Sequence, residues 1–201
     1  MTKEEKGEKI LRAASDCFAR YGYEKTTLEE IGKAVGLNKA SLYYYYKNKE
    51  SIFCDVLYRE TDQYMQELHK KLNLSGTVKE KIMLYLGERL NYYRLVVNLH
   101  NLSVDTVKKV EPVFMEVYTK VLVKESTFLT AYITEGINNG EFEQVDAKKV
   151  ADSLLLVATS IRYRALHISY VNMAMEANFH EILEEIRFVS ALMINGISSK
   201  N

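Results

Sequence analysis

Helix-breaking residues are scarce in this chain, and their scarcity is the strongest constraint on its fold. The 201 residues include one proline and nine glycines, so few positions interrupt a helix. Apolar residues recur every three or four positions, which is the spacing of one face of an α-helix. No segment shows the alternation of a half-buried strand. The sequence therefore predicts an all-α protein.

Capping residues predict where the helices begin and end. The first helix is expected at about residues 2–21, with a capping box from Thr2 to Glu5 and a stop at Gly22. Two short helices follow. The first begins with a capping box from Thr27 to Glu30, and the second has Asn38 as its predicted N-cap. Longer helices are predicted at about residues 48–72, 77–93, 112–138, 146–170 and 176–195. Pro112 is expected in a first turn, and one short helix is expected within residues 98–110.

Composition and charge narrow the class of protein. Hydrophobic residues make up 47% and charged residues 27%, as in a globular protein with a core. The sequence shows no signal-peptide pattern and no long uncharged stretch, so we expect a cytoplasmic protein without a membrane segment. Cys17 and Cys54 lack metal-ligand spacing and read as reduced core thiols, although a redox role for Cys54 stays open.

The formal net charge is zero, but its distribution favours a basic face near the N-terminus. Residues 20–49 contain six basic side chains against three acidic ones. A local excess of positive charge on a neutral body is compatible with binding the phosphates of DNA.

Residues 26–53 read TTLEEIGKAVGLNKASLYYYYKNKESIF and predict a helix-turn-helix. Its two short helices are joined at Gly36-Leu37, and the second can lie in the major groove. The solvent side of the second helix contains no acidic residue and carries Lys39, Ala40, Ser41, Tyr43 and Tyr44. Four consecutive tyrosines cannot all be buried, because neighbouring helical residues point about 100° apart.

This segment resembles the TetR family of bacterial regulators. The resemblance rests on residues 18–23, 26–37 and 38–50, which follow the family pattern of a Phe…Gly-Tyr end, a Thr-Thr…Ile…Gly turn and a Ser…Leu-Tyr…Tyr…Lys-Glu recognition segment. The departures are mild: Gly32, Val35, Ala40, Ser41 and Tyr46 replace the usual residues. Beyond residue 50, only the helix content and the Glu135–Phe142 turn resemble the family.

The resemblance implies a three-helix helix-turn-helix domain at residues 1–47 and a larger helical ligand-binding and dimerisation domain at residues 48–201. It also implies roles for individual residues at the DNA. Thr27 caps its helix and contacts a phosphate, while Lys39 and Ser41 face bases or the nearby backbone. Tyr43, Tyr45 and Lys49 are assigned to phosphates, Tyr44 to a base or the backbone, and Ala40 holds the DNA backbone at a slightly greater distance than glycine.

The second predicted domain is rich in tyrosine, and three cationic residues interrupt its most apolar helix: Arg162, Arg164 and His167. Helical spacing sets the two arginines about 200° apart, so one of them at most faces a given cavity. Ion pairing, solvent exposure and ligand contact are all open for these residues. The candidate effector-binding set is Tyr92, Tyr118, Arg162, Tyr163 and His167. No acidic partner is evident, so we expect an apolar or aromatic effector, with one anionic group for an arginine.

These observations predict a ligand-responsive transcriptional regulator, by family analogy a repressor. We expect a homodimer, formed by the last two helices, that binds an inverted-repeat operator in double-stranded DNA. The sequence offers no catalytic set, no glycine-rich phosphate loop and no metal-ligand spacing, so neither enzyme activity nor a cofactor is expected. A helical DNA-binding or nucleoid-structuring protein without a ligand is the alternative.

Overall fold

Eight α-helices form the part of the chain that the computed structural model describes, which is residues 3–73, 76–99, 104–171 and 178–199. They are α1 (Lys3–Tyr21), α2 (Leu28–Ala34), α3 (Lys39–Tyr45), α4 (Lys49–Leu72), α5 (Val78–Leu99), α6 (Val104–Asn138), α7 (Ala147–Val171) and α8 (Phe179–Asn195). Within those ranges the only extended pairing is one antiparallel bridge between Phe142 and Ser198. The predicted all-α class is confirmed.

Helix boundaries near Pro112 were predicted wrongly. Helix α6 begins at Val104 and continues through Pro112 for 35 residues, so the proline lies inside the helix and no separate short helix ends before it. A proline removes one backbone hydrogen bond at a cost of about 3 kcal/mol, and the remaining turns of so long a helix outweigh that cost. The capping box predicted at Thr2 lies outside the described residues.

The chain divides into two compact units. The first comprises Met1–Gln63 and Leu95–Val121. Its core is built mainly from α1 to α4 and contains the aromatic side chains Phe18, Tyr23 and Phe53, whose ring centroids lie 4.6–5.8 Å apart. Cys17 is buried among them, as expected of a core thiol, and burial raises the pKa of that thiol.

The turn between α2 and α3 depends on two glycines. Gly36 has a φ of +72°, in the left-handed region that favours glycine. The amide of Leu37 donates to the carbonyl of Gly32 over 2.8 Å, and a Cβ on Gly32 would lie 2.9 Å from the Leu37 carbonyl oxygen. Glycine at position 32, one of the departures from the family pattern, therefore permits a closer turn than alanine would.

The second unit comprises Tyr64–Arg94 and Leu122–Asn201. Its core collects the buried faces of α5, α7 and α8, the end of α4 and the second half of α6. The Glu141 carboxylate accepts hydrogen bonds from the backbone amides of Val78 and Lys79, each over 2.8 Å. A carboxylate there satisfies free amides at the start of α5 and complements the helix dipole. The boundary predicted at residues 47 and 48 stays a prediction.

No helix among the described residues has the length and apolar character needed to cross a membrane.

We predict that Gly136→Ala destabilises the second unit. A Cβ on Gly136 would collide with the ring of Phe142, which is buried and cannot move freely. Overpacking of this kind typically costs about 1–3 kcal/mol. Urea denaturation of the variant should show that loss in the free energy of unfolding.

Gly7→Ala is the matched control, because nothing lies within 4 Å of a Cβ at that helical position. It should stabilise α1 by roughly 0.5–1 kcal/mol through helix propensity alone. Equal effects of the two substitutions would contradict the proposed role of the Phe142 contact.

Candidate functional site

The start of α2 is fixed by a reciprocal capping box. The backbone amide of Glu30 donates to the Thr27 hydroxyl over 3.2 Å, and the amide of Thr27 donates to the Glu30 carboxylate over 2.7 Å. These bonds confirm Thr27 as the N-cap. Its side chain is exposed, although its hydroxyl also donates to Glu30.

Helix α3 presents a polar outer face over a single buried anchor. The side chain of Asn38 accepts from the amide of Ser41 over 2.8 Å, which confirms Asn38 as the N-cap. Leu42 is the one fully buried residue of this helix. Lys39, Ala40, Tyr43 and Tyr44 are exposed, and Ser41 and Tyr45 are half-buried.

The four consecutive tyrosines divide between solvent and core. Tyr44 is 73% exposed and Tyr43 is 45% exposed. Tyr45 packs edge-on against Tyr44, with ring centroids 5.3 Å apart. Tyr46 faces the core of the first unit, and burial, with the Asp55 carboxylate beside it, raises the pKa of its hydroxyl. The outer tyrosines and the Lys39 ammonium, 5.9 Å from the Tyr43 ring, make one surface without carboxylates on α3 itself.

Lys49 holds the loop after α1 as well as facing solvent. Its ammonium donates to the backbone carbonyls of Tyr23 and Glu24, over 2.8 and 3.2 Å, and lies 4.3 Å from the Tyr23 ring centroid. Partial burial lowers the pKa of this ammonium. Two of its three N–H donors are thereby engaged, so the phosphate contact assigned to Lys49 stays a prediction that rests on the third.

The two arginines of α7 have different surroundings in the second unit. The guanidinium of Arg162 lies over the Tyr93 ring, 4.0 Å from its centroid. Arg164 is exposed and pairs with Glu185 of α8. Arg162 is therefore the arginine that faces the helices of this unit, and Arg164 belongs to its surface.

The predicted effector-binding residues are only partly brought together. Tyr92 stacks on Tyr64 with ring centroids 4.3 Å apart, and Tyr92 and Arg162 belong to the second unit, as does Tyr163, which is largely exposed. Tyr118 falls in the first unit. The side chain of His167 lies outside the described residues.

No acidic partner was evident in the sequence, and a buried acidic group was therefore missed. Glu125 of α6 is 3% exposed. It accepts from the Tyr85 hydroxyl over 2.9 Å and from Arg89 Nε over 2.6 Å. Arg89 also donates to the Thr159 hydroxyl over 3.2 Å. The sequence does place the acidic Glu125 on the apolar stripe of Leu122, Phe128 and Leu129, which could have indicated its burial. Its basic partner, Arg89, lies on another helix and could not be identified from that stripe.

A surface depression of about 550 Å³ lies at the end of α6 and is lined by Ala131, Thr134, Glu135, Asn138 and Asn139. None of the predicted effector-binding residues lines it. Within the described ranges, no group of three or more His, Cys, Asp or Glu side chains is arranged to hold a metal ion.

These features define a helix-turn-helix protein joined to a helical domain with a polar group in its core. Residues 10–56 match the family model described as bacterial regulatory proteins, tetR family. A crystal structure of a transcriptional regulator from Cytophaga hutchinsonii is similar to this chain, with 30% identity, a TM-score of 0.78, and coverage of 96% of this chain and 98% of that one.

Two further relatives are similar over almost their full length. The fatty acid metabolism regulator protein of Bacillus subtilis is 23% identical, and the match covers 98% of each protein. The structure of the transcriptional regulator FadR from Bacillus subtilis in complex with stearoyl-CoA has 20% identity and a TM-score of 0.55, covering 94% of this chain and 98% of that one. The chain belongs to the TetR family of transcriptional regulators.

We predict that Lys49→Ala destabilises the first unit as well as weakening DNA binding. The substitution removes two hydrogen bonds from a charged donor to Tyr23 and Glu24, so the free energy of unfolding should fall by about 1–3 kcal/mol. Urea denaturation measures this loss. Lys47→Ala, at an exposed position, is the control and should leave stability unchanged; an equally stable Lys49→Ala protein would refute the structural role.

Proposed function

We propose that this protein is a ligand-responsive transcriptional repressor that binds an inverted-repeat operator as a homodimer in the cytoplasm. Family membership supports transcriptional regulation. The observation that carries DNA binding is the outer surface of α3, on which Lys39, Tyr43 and Tyr44 are exposed without an acidic neighbour on the helix. A surface of this kind suits the negative potential of the major groove.

Residues on this surface divide into two roles in the proposal. Lys39 and Ser41, at the start of α3, contact base edges or the adjacent DNA backbone. Tyr44 contacts a base or the DNA backbone. Tyr43 and Tyr45 donate hydrogen bonds to phosphates, since a phenol places a donor at the end of a rigid arm. Further phosphate contacts come from Thr27 at the start of α2 and from the remaining N–H of Lys49. The methyl group of Ala40 holds the helix backbone slightly further from the DNA than glycine would.

The proposed effector binds in the second unit. Support comes from the polar cluster of Arg89, Glu125 and Thr159 in its core. The same unit also contains the Tyr64–Tyr92 stack and the Arg162–Tyr93 contact. Apolar walls with a few fixed polar groups are typical of small-molecule sites. The similar regulator solved with stearoyl-CoA supports an effector with a large apolar part. We retain Tyr92, Arg162, Tyr163, Tyr118 and His167 as candidate contacts.

Control requires that the effector prefer one conformation of the protein over another. Helix α4 contributes side chains to both cores, Ile52, Phe53, Val56 and Leu57 to the first and Leu68 and Leu72 to the second. We propose that effector binding is transmitted along this continuous helix. A hundredfold loss of operator affinity requires about 2.7 kcal/mol of coupling.

The proposed dimer forms through α7 and α8. Four large apolar side chains on these neighbouring helices are exposed: Leu156, Tyr163, Phe188 and Leu192. Exposed apolar side chains on two adjacent helices favour association with a second copy, in which the four helices pack together. Ile186, on the apolar stripe of α8, is only 2% exposed and belongs to the core, so it is unsuitable for testing the dimer.

A nucleoid-structuring protein without an effector is the second candidate. It would bind duplexes with little sequence preference, whereas a repressor selects a specific inverted repeat. The buried polar cluster favours the ligand-responsive function, because a buried ion pair is costly to desolvate and adds little stability to a core by itself.

Selection of binding sites from random duplex DNA tests the proposed function. We expect enrichment of an inverted repeat with half-site centres about one helical turn apart, or slightly more. Lys39→Ala should weaken binding to the selected site more than to random DNA, because it removes a base or near-base contact from an exposed position. Affinities are measured at one fixed salt concentration.

Lys47→Ala is the control for general electrostatics, since its side chain is exposed beyond the end of α3. It should weaken binding to both DNAs about equally. Equal losses for Lys39→Ala would remove its base-reading role, and the absence of any enriched repeat would contradict the repressor proposal itself.

We expect Phe188→Glu with Leu192→Glu to yield folded monomers, because both side chains are largely exposed in one chain and become buried only by association. Sedimentation at several concentrations should show the monomer, and circular dichroism should show unchanged helix content. Ile186→Glu is the contrasting variant, since it places a charge in the core and should unfold the protein. A dimeric double variant would refute the placement of the interface.

A further inference from the structure

One oxygen of a buried carboxylate has no hydrogen-bond donor in the part of the chain that the structure describes. Both hydrogen bonds to Glu125, from Tyr85 and Arg89, are made to Oε1. Its Oε2 is shielded from solvent, and no donor from the described residues reaches it. A buried acceptor left without a donor loses its hydration without compensation. Such an atom in a native core calls for an explanation.

Stability does not explain this arrangement. The Arg89–Glu125 ion pair is largely shielded from solvent, with side-chain exposures of 13% and 4%. Apolar residues of similar volume commonly serve a core as well as a buried ion pair does, because the pair is costly to desolvate. The unsatisfied Oε2 adds to that cost. A binding role accounts for both features.

Three helices hold the carboxylate in place. Tyr85 and Arg89 of α5 fix its Oε1, and Arg89 is itself bound to Thr159 of α7. The Phe128 ring, one turn along α6 from Glu125, lies 5.3 Å from the Tyr85 ring. The free oxygen therefore belongs to a rigid polar group within an aromatic and apolar setting, as a preorganised binding site requires.

The charges around this group favour a neutral donor over a cation. Arg89 already neutralises the Glu125 carboxylate. Arg162, three residues beyond Thr159 on the same face of α7, adds a positive charge over the Tyr93 ring. A cationic ligand would gain little from a carboxylate that is already paired, whereas a neutral O–H or N–H would satisfy Oε2 without adding charge.

We propose that Glu125 Oε2 accepts a hydrogen bond from a hydroxyl or amide N–H of the effector, which is otherwise apolar or aromatic. This inference rests on the proposed ligand-sensing function of the second unit. It assigns Glu125 as a specificity-determining residue, with Tyr85, Arg89 and Thr159 as the residues that position its carboxylate.

Calorimetric titration of the full-length protein with para-hexylphenol and its methyl ether, para-hexylanisole, tests the proposal. The two probes share their apolar body, but only the phenol donates a hydrogen bond. We expect the phenol to bind at least tenfold more tightly, because the ether leaves Oε2 unsatisfied. Equal affinities, failure of both probes to bind, or tighter binding of the cationic para-hexylbenzylamine would overturn the proposal.

The Glu125→Gln variant tests whether the preference for the phenol over the ether depends on this residue. The amide keeps one oxygen for Tyr85 and Arg89 but can place N–H donors where the phenol would donate, so the preference should fall at least fivefold. Glu143→Gln, at an exposed carboxylate, is the matched control and should retain it. Thermal unfolding establishes whether each variant is folded; if Glu125→Gln is not, the comparison of the two probes in the unaltered protein decides.

Measurements of operator binding distinguish failure of the role proposed for Glu125 from failure of the proposed ligand-responsive repression. Suppose that dodecanoate, an anionic probe, releases the selected operator, that Arg162→Gln abolishes the release, and that Glu125→Gln leaves it intact. That result would overturn the role of Glu125 while ligand-responsive regulation stands. Failure to select any operator would instead contradict the proposed function.

Discussion

The close approach of two backbone segments between α2 and α3 is the contact on which the surface proposed to bind DNA depends. The Leu37 amide reaches the Gly32 carbonyl, and the space beside Gly32 admits no side chain without displacement of the Leu37 carbonyl. The turn delivers the chain to Asn38, which caps α3. Leu42 then anchors α3 by its inner side. Because α3 is held at its start and along one face, the backbone geometry of the helix sets the direction of its outer side chains.

This dependence explains why so much of the DNA-binding region was predictable. Capping boxes, glycines with positive φ and a short amphipathic helix are local features, and local features are readable from a single sequence. For that reason the N-caps Thr27 and Asn38 and the turn glycine Gly36 were predicted correctly. The structural role of Lys49 was not predicted, since its carbonyl partners at Tyr23 and Glu24 are set by tertiary packing. The sequence predicts only a phosphate contact for Lys49, whereas the structure shows that its ammonium also holds the loop after α1.

Predictability declines in the second unit because its chemistry depends on pairs that lie far apart in sequence. Arg89 and Glu125 each interrupt an apolar stripe, and each alone reads as an exception or a misplaced surface residue. Only the packing of α5 against α6 makes them partners. The same holds for Arg162 and Arg164: helical spacing separates their directions, but only the Tyr93 ring and Glu185 show which of them faces inward.

Helices α7 and α8 show a further limit of periodicity. Both are apolar over more than one face, so a stripe drawn from the sequence cannot distinguish side chains that complete the core from those left for a partner. In α8, Ile182, Ile186 and Ile194 are buried in the core, while Phe188 and Leu192 are exposed. These two sets differ by about half a turn. A monomer would gain nothing from the second set, because exposed aromatic and aliphatic side chains on adjacent helices favour association. In the proposed dimer a second copy of the chain covers these apolar side chains, and the two recognition helices, one from each copy, would then share one operator.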